Sequence, residues 1–285
     1  MRVRVLVPGD EGMLFELLEQ HVDTSLFLLS NVERAGLVDR GEPLQGTYAA
    51  SFDDRGRMTA VAGHSWNGNV MLQGSKGLER AVACAVDGSG RAVSGLFGPW
   101  ALIAQARAAL GLEERRARHD GKELLFSLEL SALKRPEVLA REALALRQPT
   151  LEEARGVLAE WRADYESETL GAERTPALVV GARDRVQGWR DSGALWLLTS
   201  DGEPVAMTGF NANARGIVQV GGVFTPSALR SRGYGRAAVA LSLEEMARQG
   251  ATRSVLFTSE KNLPAQRAYI SLGYALTGDY GLVLF

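Results

Sequence analysis

The sequence predicts an α/β protein built of two tandem units, each a mixed, mostly antiparallel sheet flanked by helices. Three observations carry that expectation. The chain has 285 residues, which suits two ordinary domains. A strand, a helical stretch and a three-stranded meander open the chain, and the same order returns from about Leu144. Short glycine-containing turns join alternating apolar runs in both halves.

In the first half, "VRVLV" alternates and stops at Pro8-Gly9, which predicts a strand. "DEGMLFELLEQH" starts acidic and carries apolar residues at helical spacing, and "TSLFLLSNVERAG" reads as a second helix ending at Gly36. "GTYAASF", "MTAVAGHSW" and "VMLQG", separated by "DDRGR" and "NGN", predict an antiparallel meander. In the second half "ALALRQ" is a strand and Thr150 an N-cap for one amphipathic helix, "LEEARGVLAEWRADY". "GALWLLTS", "VAMTGFNA" and "IVQVGGVFT" form the second meander. Glu11 aligns with Glu152 and Asp54 with Asp201 at nearly the same offset. The repeats are therefore placed at 1–135 and 144–285, joined near "SALKRPEVLAREA".

Composition narrows the function. Hydrophobic residues make up 46% and charged residues 23%, the mix of a soluble chain with a full core. Lys and Arg number 32 against 34 Asp and Glu, so no nucleic-acid or polybasic membrane surface is expected. The N-terminus lacks the apolar stretch of a signal peptide and no apolar run reaches ~18 residues, so a cytoplasmic protein is expected. The one cysteine, Cys84, can form neither an intrachain disulfide nor a cysteine metal cluster and reads as a helix filler. No metal site is expected. His64 reads as structural, and Gly95 and Gly98 as a plain turn.

The informative stretch is "LRSRGYGRAAVALSLEEMA". Strand "IVQVGGVFT" leads through Pro226 into Gly233 and Gly235, and a helix follows. A helix N-terminus offers unpaired N–H groups and roughly +0.5 of a charge. Glycines let the backbone aim those amides at one point and let a bulky anion approach. Arg230, Arg232 and Arg236 add positive charge. The pattern predicts a pyrophosphate cradle. It lacks the Lys-Ser/Thr of a P-loop and the third glycine of a dinucleotide fingerprint. Downstream, Asn262 can cap a helix with Pro264 in its first turn, and Tyr269 follows two turns later, about 10.5 Å along the same face.

Arg230, Gly233 and Gly235 meet the pattern Q/R-x-x-G-x-G/A, and Asn262, Ala265 and Tyr269 meet N-x-x-A-x-x-x-Y. On these motifs residues 216–285 resemble the GNAT superfamily of acyl-CoA-dependent N-acyltransferases, and the element order from Leu144 onward is similar to that family's. The first repeat shares the order but not the motif and resembles a degenerate GNAT-like domain. The resemblance implies acetyl-CoA as co-substrate. Val223, Phe224 and Thr225 would pair with its pantetheine arm, beside a splay between the fourth and fifth strands of the unit. The amides of Ser231, Arg232, Gly233, Tyr234, Gly235 and Arg236 would hold the pyrophosphate, with Asn262 facing the pantetheine or phosphate. Tyr269 would protonate the departing thiolate.

Many family members place a carboxylate on strand four or five to deprotonate the amine. Strand four here has none, which leaves Glu260 after strand five as a candidate base. Asp164, Glu166 and Glu168 follow the first helix on the side that holds the acceptor in this family, where they are expected to bind a cationic amine or relay its proton, Glu166 and Glu168 being the substrate-binding candidates. The implied function is transfer of an acetyl group to a small-molecule or peptide amine in a ternary complex, by a monomer or homodimer. The alternatives are a non-catalytic acyl-CoA sensor and a transferase of a longer acyl group.

Overall fold

The computed structural model describes residues 2–285. The chain divides into two compact units, Met1–Leu125 with Gly278–Phe285, and Phe126–Thr277.

The first unit runs β1 (Arg2–Val5), α1 (Glu11–Glu19), α2 (Val22–Ala35), β2 (Gly46–Phe52), β3 (Met58–Ser65), β4 (Asn69–Gly74), α3 (Leu78–Ser89), β5 (Gly95–Pro99), α4 (Trp100–Ala109) and the start of β6 (His119–Glu129). The short helix α5 (Val138–Arg141) precedes the second run: β7 (Leu144–Arg147), α6 (Leu151–Arg155), α7 (Val157–Leu170), α8 (Pro176–Asp191), β8 (Leu195–Ser200), β9 (Glu203–Ala214), β10 (Ile217–Phe224), α9 (Tyr234–Arg248), β11 (Arg253–Ser259), α10 (Leu263–Ser271) and β12 (Ala275–Leu284). With α6 and α7 taken as one broken helix, the two runs have the same order. The tandem repeat expected from the sequence is thus present in the elements themselves.

Each unit has an antiparallel meander followed by one parallel pair. β1 to β4 pair antiparallel and β4 pairs β5 in parallel. β7 to β10 repeat this, with β10 parallel to β11. The sixth positions are exchanged. Tyr280–Leu284 of β12 pair with β5, so the chain's last strand completes the first unit. β6 lies beside β11 in the second unit. The boundaries 1–135 and 144–285 treated each repeat as self-contained. The compact units instead divide between Leu125 and Phe126, inside β6, and Gly278–Phe285 belong with the first unit.

Local chemistry explains most element ends. Thr150 caps α6 with its hydroxyl on the Glu153 N–H, while the Glu153 carboxylate accepts the Thr150 N–H, a reciprocal capping box. The single helix expected over "LEEARGVLAEWRADY" breaks at Gly156, whose ψ of −106° leaves the helical region. Helix α8 was not foreseen, although Thr175 caps it and Pro176 starts it. Gly95 and Gly98 form no turn; both lie inside β5. A Cβ on Gly98 would meet Leu72 O at 2.6 Å and one on Gly95 would meet Val283 O at 2.6 Å. They are glycine because backbones pass there without room for a side chain.

Successive residues of β8 face opposite ways and build two cores in the second unit. Leu195 and Leu197 join Met207 and Phe224 beneath Leu158, Trp161 and Val186 of α7 and α8. Leu198 joins Ala206 beneath Tyr234, Ala237 and Ala238 of α9. Helix α9 and helices α7 and α8 are thereby fixed to opposite faces of one sheet.

Candidate active site

The site is built around the end of β10. β10 pairs with β11 only from Ile217 to Gln219, yet runs on to Phe224, while β11 continues to Ser259. The two parallel strands separate after Gln219, which is the splay expected from the family resemblance. Backbone groups of Val220–Phe224 on that side face no β11 ladder, and such groups need a partner. On its other edge β10 shifts register against β9 between Gln219 and Val220 and again between Gly221 and Phe224. Bulges of this kind bend a strand and re-aim its groups. Phe224 is buried in the α7 core, and Val223 and Thr225 are half-buried.

Pro226 starts a short 3-10 turn, Ser227–Leu229, that leads to the arginine-glycine loop. Ser231 and Gly233 both have left-handed backbone, φ 65° and 90°. Gly233 is the N-cap of α9 and no side chain caps the helix there. The first-turn amides of α9, Tyr234 to Arg236, therefore have no intrahelical acceptor and point out of the helix end. A Cβ on Gly233 would sit 3.3 Å from Val138 Cγ1, and one on Gly235 3.4 Å from Thr225 Oγ1. Arg232 and Arg236 are exposed beside this end. The Tyr234 ring is turned into the α9 core, so only its backbone faces the loop. These features fit a pyrophosphate: open amides, two close-packed glycines and flanking cations.

Asn262 caps α10 as expected, its side-chain oxygen accepting the Ala265 N–H at 3.2 Å. Tyr269 lies two turns on, its ring edge-on to Tyr274 with centroids 5.9 Å apart. Burial, with a smaller contribution from Tyr165, pushes the Tyr269 phenol well above the usual tyrosine range. Tyr274 is held by a 2.6 Å hydrogen bond between its hydroxyl and Ser254 Oγ on β11. A phenol that resists ionisation keeps a proton to give. Glu260 is exposed in the turn after β11, and its backbone oxygen accepts from Gln266 Nε2.

The acidic residues of α7 differ from expectation. Glu166 is buried and has both oxygens occupied. Arg162 Nε donates to Oε1 at 2.7 Å, and Arg185 donates to Oε1 and Oε2 at 2.9 and 2.8 Å. A carboxylate so neutralised offers nothing to a cationic amine, so the binding role expected for Glu166 does not fit its surroundings. Glu168 pairs with Arg230 at 2.6 Å. Arg230 also donates to Thr225 O at 2.9 Å and lies 5.5 Å from the Phe224 ring centre. The first arginine of the motif thus ties the loop to β10 and to α7. Sequence reasoning missed Arg162, Tyr165 and Trp189: the first two are i,i+3 neighbours on one face of α7, and Trp189 joins them from α8 through tertiary packing.

The first unit has the same backbone device with different chemistry. Gly77 caps α3 in left-handed conformation, φ 85°, where Gly233 caps α9. Two residues after Gly77 stands Glu79, which puts a negative charge in the first turn of α3 where Gly235 puts none. His64 is fully buried, its Nδ1 2.6 Å from Ser89 Oγ, and burial lowers its pKa. Among the described residues no group of three or more His, Cys, Asp or Glu could hold a metal ion. No described helix is long and apolar enough to cross a membrane.

Residues 157–274 match the model of the acetyltransferase (GNAT) family. Solved structures similar to the whole chain include a GCN5-related N-acetyltransferase from Sphaerobacter thermophilus (18% identity, 99% of this chain and 94% of that one, TM-score 0.58). A tandem GNAT protein from the clavulanic acid biosynthesis pathway is 14% identical over 99% of this chain and 97% of that one, TM-score 0.54. A Drosophila protein is 12% identical over 99% and 98%, TM-score 0.71. No curated protein matches the chain by sequence. Residues 157–274 thus form an acetyltransferase (GNAT) family domain, and the chain as a whole, two like units in tandem, shares the fold of these structures.

Proposed function

We propose that the second unit transfers an acetyl group from acetyl-CoA to a primary amine by direct attack in a ternary complex. The observation that carries this reading is the splay of β10 from β11 beside the uncapped, glycine-lined start of α9. One feature suits a pantetheine amide arm and the other a pyrophosphate, and both lie at the end of one strand.

Acetyl-CoA would supply an activated thioester. Val223, Phe224 and Thr225 would pair with its pantetheine, and the backbone from Ser231 to Arg236 would hold the pyrophosphate, with Asn262 alongside. Tyr269, half-buried and protonated at neutral pH, gives its proton to the departing sulfur. Glu260 takes the proton lost by the amine, directly or through water; its place at the end of β11 supports this. The acceptor is a small molecule or a peptide, and no nucleic acid or membrane takes part.

The test is an amine panel with acetyl-CoA, read by free-thiol release. Turnover with at least one amine is the expected result. A second reading, an acyl-CoA sensor without turnover, draws on one observation. β10 carries no carboxylate, and the α7 acids are taken up by arginines. Tight acetyl-CoA binding with no thiol release across a broad panel would favour it.

A further inference from the structure

We infer that Arg162 reads a carboxylate on the acceptor, so that the substrate is an amine with a nearby carboxylate, of the amino-acid class. This rests on the acyl-transfer reading above. It reverses the charge that the acidic run of α7 predicts for the acceptor side.

Pairing on α7 shows the reversal. Glu160 and Asp164 are both met by Arg174, at 2.5 and 2.8 Å. Glu168 is met by Arg230. Arg185 binds both oxygens of Glu166 and is enough to neutralise it. Arg162 then adds a second guanidinium to a carboxylate already matched. Its side chain is only 13% exposed, so a surplus positive charge is held largely away from water, where it needs an anion.

Its orientation shows where that anion comes from. The guanidinium lies over two rings, 4.9 Å from the Tyr165 centroid and 5.0 Å from that of Trp189. Nε faces Glu166, so the far edge of the fork faces away from it. That edge abuts the bulge of β10: a Cβ on Gly222 would lie 3.4 Å from Arg162 Nη1. The same Cβ would strike Trp189 at 2.5 Å, and Gly222 has φ +60°, so glycine is what permits this approach. A planar, fixed fork beside the strand that lines the splay suits bidentate recognition of a carboxylate.

The test uses the full chain with the common L-amino acids and their carboxamides, pairs that differ only in the carboxylate. The wild type should favour the acid over its amide by roughly tenfold to a hundredfold in kcat/KM. Arg162→Gln should erase that ratio through KM for the acid, leaving the amide and acetyl-CoA affinity unchanged. Arg162→Gln with Glu166→Gln keeps the local charge and guards against misfolding. Calorimetry of the same acids titrated into the CoA-loaded protein gives a readout without turnover; binding should be lost in Arg162→Gln. Turnover of amines with no preference for the acid, or a preference that survives in both variants, overturns the inference while the acyl-transfer reading stands. Absence of turnover with retained, Arg162-dependent acid binding sinks the enzyme reading and supports the carboxylate site. Failure of every acid to bind overturns it outright.

Discussion

Gly233 and Gly77 occupy equivalent places in the two repeats, each left-handed, with φ of 90° and 85°, and each the cap of a helix that follows a meander. Two residues on, one helix has Gly235 and the other Glu79. The same backbone turn thus starts a helix with no acid in its first turn in one unit and with a carboxylate, which disfavours an anion there, in the other.

The two glycines of the cradle should respond differently to substitution. Gly233 needs its positive φ, so Gly233→Ala or Val strains the loop by roughly 1–2 kcal/mol and turns the amides away. Acetyl-CoA affinity by calorimetry should fall about tenfold or more. Gly235 is not left-handed, and its Cβ would make an ordinary 3.4 Å contact, so Gly235→Ala should bind within a few-fold of wild type by the same rule of about 1.4 kcal/mol per decade.

Removing the carboxylate that holds Arg230 should free that arginine for phosphate. The pair with Glu168 is about half exposed on both sides, worth roughly 0–1 kcal/mol. Glu168→Gln should leave stability almost unchanged and tighten acetyl-CoA binding by up to about fivefold at low salt, with the gain fading as salt rises.

Tyr269→Phe keeps the ring against Tyr274 and removes only the proton. Turnover should fall by roughly 10²–10⁴, with acetyl-CoA affinity nearly constant. Equal loss of both would mean that the tyrosine serves packing.

Stability should fall at both ends of the pH range, for opposite reasons. Hydrogen bonds from Arg147 hold Glu153 at about 2, below its unfolded value near 4.3, so its contribution is present above that value and is lost as pH falls towards 2. Asp10 behaves alike, held at about 2 by Arg4. Burial raises Tyr269, Tyr274 and Tyr280, so the stability they contribute is present below about pH 10 and is lost above it. Thermal melts across pH should show a plateau between these limits. Glu153→Gln should flatten the acid limb, and Thr150→Ala should cost about 1 kcal/mol throughout.

The glycine-opened start of α9, the Asn262 cap and the meanders were legible because each depends on residues close in sequence: glycines at a helix start, a cap with its proline, alternating runs between turns. The break at Gly156 and helix α8 were open to local reading through Gly156 and Thr175-Pro176, but the pattern of apolar residues hid the first and nothing apolar-periodic announced the second. The exchange of β6 and β12 was not legible, because strand partners lie far apart in the chain. Nor was the fate of Glu166, whose charge is cancelled by Arg185 from another helix. A run of acids in sequence carries no record of the arginines that will meet it.

The central claim is that only the second unit holds acyl-CoA in this way. Calorimetric titration of acetyl-CoA into the wild-type chain and the Gly233→Val variant tests it most directly. The account predicts one site per chain, abolished or weakened at least about tenfold by the substitution in a protein that still melts cooperatively. Two equivalent sites, or one site untouched by Gly233→Val, would contradict it.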